Sequence, residues 1–146
     1  MAGTDSNSFN NGFIHFRLIN IKKGVHIMSN TNFGIVKTFN ENDFINEFTA
    51  YNRMDNFSYK GLRVMFDALN ELAQDCEMNI EMDVIGLCCE YSELSIDDVI
   101  NDYDIDLDDE SFDDKTDLVI DYLHDHTMVL GNYEINGVEY VLFQAF

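Results

Sequence analysis

The chain has 146 residues, 46 % of them apolar, and carries 8 basic against 28 acidic side chains for a net charge of −20. Length and apolar content fit one domain with a single core. The charge excludes a nucleic acid or an anionic membrane as the bound partner and calls for a basic one.

In chain order, the first distinctive stretch is Lys22-Lys23-Gly24-Val25-His26-Ile27, which stands before Met28. Lys-Lys-Gly-Val back-translates to a sequence containing AAAGGAGT, which reads as a bacterial ribosome-binding site. His26-Ile27 then supplies the short spacer before a start codon, and Met28 opens an ordinary bacterial or phage N-terminus. Residues 1–27 are therefore expected to be translated leader or a disordered arm and are set aside from the fold. The competing reading is a native arm with Phe13 to Ile21 as a strand. Residues 28–146 are expected to form one acidic α+β domain. Three basic residues (Arg17, Lys22, Lys23) and one acidic residue (Asp5) precede Met28. That leaves 5 basic against 27 acidic, a net −22 over 119 residues. No apolar run reaches the length of a membrane span, and no signal-peptide pattern is visible.

Gly34 to Phe39 reads as a short strand. Asn40 is a candidate N-cap, with Asp43 three residues on, and Phe44, Ile45, Phe48 and Tyr51 share one helical stripe. Arg53 to Asn56 breaks that helix. Ser58 caps the strongest one, with Phe57 and Leu62 placed as a hydrophobic staple. Its stripe is Leu62, Met65, Phe66, Leu69, Leu72, Ala73 and Cys76, a pattern read as core packing in preference to a cofactor-lining face.

Ile80 to Asp83 reads as a short strand, and Val84 to Cys89 as an apolar run whose helix or strand character periodicity leaves open. Cys76, Cys88 and Cys89 are odd in number, with two adjacent, so they are expected to be reduced, buried thiols in a cytoplasm. Their spacing does not suit zinc. Ser95-Ile96-Asp97-Asp98 has the form of a capped helix start. Residues 102–114 are acidic and irregular. A last helix is predicted from Asp114 to about His124, with Leu118, Val119, Tyr122 and Leu123 inward. A C-terminal hairpin follows, built from Thr127–Leu130 and Val138–Phe143, with turn signals at Gly131-Asn132 and Asn136-Gly137. The fold expected is α+β: three to five helices on one side of a small antiparallel sheet.

The candidate site is the acidic stretch from Asp97 to Asp117, which holds eleven carboxylates and one lysine. Its partner-binding residues are taken to be Asp97, Asp98, Asp102, Asp104, Asp106, Asp108, Asp109, Glu110, Asp113 and Asp114. Asp102, Asp104, Asp106 and Asp108 alternate with Tyr103, Ile105 and Leu107. If extended, this run sets carboxylates about 6.6 Å apart along one face. That interval is of the order of the phosphate separation in a nucleic-acid strand, so such a face could occupy a DNA-binding groove. An EF-hand is the competing reading of 102–113. It lacks glycine at the sixth position, which is Leu107, and glutamate at the twelfth, which is Asp113. A solvated acidic loop without a dedicated partner is the third reading.

Catalytic signals are sparse. His124 and His126 at i, i+2 suit a helix C-terminus better than a metal pair. Cys88 and Cys89 sit in an apolar run, where burial would blunt a thiolate. No phosphate loop, GxSxG or HExxH is present. No catalytic residue, metal or cofactor is expected, and the chain is read as a non-enzyme.

Three stretches resemble small acidic proteins of bacteriophage and prophage genomes: Phe57 to Leu72, Met82 to Glu93 and Leu130 to Phe146. The resemblance implies a phage origin and no settled activity. Small acidic phage proteins include inhibitors of host restriction and CRISPR nucleases, some of which imitate DNA. On that likeness the expected function is inhibition, in the host cytoplasm, of a defence nuclease through its basic nucleic-acid channel. A phage structural or regulatory binding module without polyanion mimicry is the alternative.

Overall fold

The computed structural model describes residues 27–28, 37–107 and 114–146. Strand β1 (Ile27–Met28) pairs antiparallel with β2 (Asn79–Ile80), Ile27 opposite Ile80 and Met28 opposite Asn79. The rest of the leader or arm expected at 1–27 lies outside the described residues. So does most of the strand expected at Gly34–Phe39, whose last three residues, Lys37 to Phe39, are irregular. The strand expected from Ile80 to Asp83 shrinks to β2.

Helix α1 (Glu41–Ala50) starts at Asn40, whose side chain accepts the Asp43 N–H at 2.9 Å. Phe44, Ile45 and Phe48 are buried, whereas Tyr51 lies past the helix end and is 56 % exposed. Helix α2 (Tyr59–Asp75) starts at Ser58, whose Oγ accepts the Gly61 N–H at 2.9 Å. Phe57 and Leu62 are both buried, as the staple requires, and Met65, Leu69 and Leu72 continue the stripe inward. Burying one such side chain contributes about 2 kcal/mol and one cap about 1 kcal/mol. Packing of the apolar face, more than capping, therefore holds these helices.

Val84 to Cys89 resolves as helix α3 (Val84–Glu90), with Asp83 Oδ1 accepting the Gly86 N–H at 2.9 Å. It passes without a connecting loop into β3 (Tyr91–Ser95), a strand not expected from the sequence. Ser95 ends that strand and caps α4 (Ile96–Asp102). Helix α5 (Lys115–His126) has Asp114 as its cap, accepting the Thr116 N–H at 2.9 Å. Strands β4 (Val129–Ile135) and β5 (Val138–Gln144) form the hairpin. Its turn is Asn136-Gly137, both at positive φ (52° and 82°), as a type I′ turn demands. Gly131-Asn132 is not a turn. It lies within β4, where the register shifts between Val129 and Gly131.

The sheet order is β3-β5-β4, all antiparallel. Leu142, Tyr133 and Tyr91 pack into a core with α1, α2 and α3. Val141 and Phe143 pack into a second core with Ile96 and Val99 of α4 and Val119 and Leu123 of α5. The α+β class holds, but helices cover both faces of the sheet and not one. The reason is β5, where Val141, Leu142 and Phe143 are consecutive and fully buried, as in a central strand covered on both sides. Nor are the thiols buried as expected: Cys76 and Cys88 are half-buried and Cys89 is exposed, because α3 turns Cys89 outward.

Candidate functional site

The acidic stretch belongs to the layer formed by α4 and α5. Asp97 is exposed and paired with Lys115, Nζ to Oδ1 2.6 Å, and this contact raises the Lys115 pKa. Asp98 is occupied locally: the Ser95 hydroxyl donates to its Oδ2 at 2.6 Å while Ser95 Oγ accepts its N–H at 3.1 Å. Asp114 caps α5. These three carboxylates are thus parts of helix ends as well as parts of the surface.

The extended, alternating run expected at 102–108 is overturned in its described part. Asp102 is the last residue of α4. Asp104 follows at φ 50°, and the Ile105 N–H returns to the Ile100 carbonyl at 3.1 Å. That is a Schellman ending, with Asp104 in the left-handed position. The physical cause is Ile105, which packs back on the second core together with Ile100 and Tyr103. Alternation of burial survives nonetheless: Asp102, Asp104 and Asp106 are exposed, while Tyr103 and Ile105 are half-buried. Leu107 breaks the pattern at 54 % exposed. Asp108, Asp109, Glu110 and Asp113 lie outside the described residues, in the sequence that joins α4 to α5.

Helix α5 carries Asp117, the last carboxylate of that stretch, and adds Asp121 and Asp125 beyond it, all three exposed. From Asp97 to Asp125 the chain holds 13 carboxylates and one lysine, Lys115. The other described cations belong to the α1–α2 side of the molecule. Arg63 meets Glu41 at 2.9 Å, and Lys37 reaches Asp43 and Glu47 at 3.9 and 4.0 Å. Lys60 donates to the Glu134 carbonyl at 2.8 Å, and Arg53 acts on Cys88. Among the described residues both sides of the sheet are net acidic, but the α4–α5 side has Lys115 as its one lysine or arginine.

At one end of that layer four rings gather. His126 stacks on Tyr122 at 4.1 Å and Phe146 on Tyr103 at 4.9 Å, with His126 and Phe146 5.8 Å apart. The His126 ring contacts the Tyr122 carbonyl through Nδ1 at 2.7 Å, in keeping with a helix C-terminal role. The Tyr103 pKa is raised by burial, then by Asp102 and Tyr122. Sequence reading missed this group. Its signals were the i, i+4 spacing of Tyr122 and His126 and an aromatic at 146.

Two other features are not functional candidates of the same weight. Glu93 accepts from the Ser58 N–H and hydroxyl and, at 2.6 Å, from Tyr133, which binds α2 to the sheet. A cleft of about 200 Å³ lies between α1, α2 and the β2–α3 segment, with Phe44, Phe66, Leu69 and Leu87 among its lining and Lys37 and Glu81 as its charged side chains. Among the described residues no group of three or more His, Cys, Asp or Glu could hold a metal. Half of the candidate calcium loop lies outside them. No described helix is long and apolar enough to cross a membrane.

No protein-family model matches the chain, and no curated protein or solved structure matches it either.

Proposed function

We propose that the protein is a non-enzymatic, phage-encoded inhibitor that acts in the host cytoplasm. It occupies the basic nucleic-acid channel of a defence nuclease in place of DNA. The observation that carries this reading is the charge of the α4–α5 layer: nine described carboxylates from Asp97 to Asp125 against Lys115, on the side of the sheet away from the other described cations. A surface of that kind attracts a channel built for phosphates and repels DNA itself. The carboxylates would act through helices already ordered by the second core, so binding need not order the described part of the layer. The phage and nuclease parts of the reading rest on sequence resemblance alone.

The test uses Asp102, Asp104, Asp121 and Asp125, all changed to Asn. Asp104→Asn suits the left-handed backbone, and the carboxylates of Asp102 and Asp125 oppose the C-terminal ends of their helices. Restriction and CRISPR nucleases are assayed for DNA cleavage with the protein present. Inhibition should be relieved by excess DNA and by salt. The quadruple variant should inhibit at least tenfold less well while melting no lower than the parent. A variant that only gains stability, with inhibition unchanged, would overturn mimicry by this layer and favour the alternative of an acidic structural or regulatory module.

A further inference from the structure

We infer that the ring cluster Tyr103–Tyr122–His126–Phe146 is the part of this surface that receives arginine side chains of the partner. The inference rests on the polyanion reading and deepens it. Phe146 is stacked on Tyr103 with a 20° interplanar angle yet remains 55 % exposed, and His126 is exposed above Tyr122. Tyr103 and Phe146 are anchored on buried Phe143 at 6.1 and 6.3 Å, so the cluster is held in place while part of its ring surface stays open to solvent. The rings are bordered in sequence by Asp102, Asp104, Asp121 and Asp125, and after burial the Asp102 charge helps raise the Tyr103 pKa.

Charge complementarity fixes the occupant. A partner group placed here meets aromatic faces and carboxylates together. A guanidinium satisfies both, since its plane stacks on a ring while its fork donates two parallel hydrogen bonds to a carboxylate. An ammonium is a strongly hydrated point charge that gains less from the ring. A phosphate, a nucleobase on its backbone or an anionic lipid would be repelled by the same carboxylates.

The probes are fluorescein-labelled arginine and lysine octapeptides, followed by fluorescence anisotropy at one fixed ionic strength. The arginine peptide should bind about two- to five-fold more tightly than the lysine peptide, the range of an exposed cation–ring contact. Phe146→Leu keeps apolar volume without the ring and should abolish that preference, whereas Phe146→Tyr should retain it. Asp121→Asn with Asp125→Asn should weaken both peptides, the arginine peptide at least as much as the lysine peptide. Equal affinity for the two peptides, or a preference untouched by Phe146→Leu, would overturn the arginine assignment and leave the polyanion reading standing. Binding of neither peptide would overturn both.

Discussion

Glu93 gathers the N–H and hydroxyl of Ser58 and the hydroxyl of Tyr133 at the entry to α2. Gly61 allows this: a Cβ there would sit 2.5 Å from Glu93 Oε1 and 2.6 Å from the Tyr133 oxygen. In an open helix Gly→Ala gains about 1 kcal/mol. Here the methyl must displace two atoms held by hydrogen bonds, so Gly61→Ala should lose about 2 kcal/mol in urea denaturation. A gain would show that the cluster yields freely. Glu90 presents the opposite case, with Oε2 buried and no hydrogen-bond partner. Burial and then Asp83 raise its pKa above 4.5. A carboxyl raised on folding favours the native state only while protonated, and that contribution is lost as pH rises through the folded value. Glu90→Gln should therefore raise the melting temperature at pH 7 and have a vanishing effect at pH 4. An equal effect at both pH values would mean that packing, not charge, sets the result. Neither residue was legible in the sequence. Glu93 finds its partners 35 and 40 positions away, and periodicity carries no record of pairs that distant.

Three helices end in the same way without glycine. Asn52, Glu77 and Asp104 take positive φ after α1, α2 and α4, and the next N–H returns to Phe48, Ala73 and Ile100 respectively. A left-handed glutamate is the least comfortable of the three, since Asn and Asp are far more at home there. Glu77 is exposed, so Glu77→Gly should stabilise the protein by about 0.5–1 kcal/mol in denaturant titration, after allowing for the greater chain entropy of glycine when unfolded. Loss of stability would mean that the Glu77 side chain makes a contact worth more than the strain. Three helix starts, in contrast, were readable as caps: Asn40, Ser58 and Ser95 each accept the backbone N–H that a cap should, and Asp114, read as the first residue of the last helix, is its cap. Strand β3 was not readable, because α3 runs into it at Tyr91 with no glycine or proline between. Gly131 looked like a turn for want of its tertiary reason. A Cβ there would lie 2.8 Å from Val64 Cγ1, so this glycine lets α2 approach the sheet.

At the scale of the whole molecule, Val141-Leu142-Phe143 could have shown that helices cover both faces, since three consecutive buried residues cannot all face one layer. That two-sided arrangement sets the electrostatics. Among the described residues the α1–α2 side has Lys37 and Arg63 to offset part of its acidic charge, while the α4–α5 side has Lys115 alone, engaged with Asp97. Repulsion within that layer therefore works against its packing on the sheet. It is screened over about 30 Å in 10 mM salt but about 3 Å in 1 M. The proposed partner contact would depend on the same charges with the opposite sign. Added sodium chloride should then raise the melting temperature of the free protein by several degrees between 10 mM and 0.5 M. Over the same range affinity for the basic peptide probes should fall steeply. Replacing Asp102, Asp104, Asp121 and Asp125 by Asn should flatten both dependences at once, because one set of carboxylates causes both. If the melting temperature instead fell with salt, attractive ion pairs such as Arg63–Glu41 would outweigh the repulsion, and the acidic layer would not be the dominant electrostatic feature of the fold.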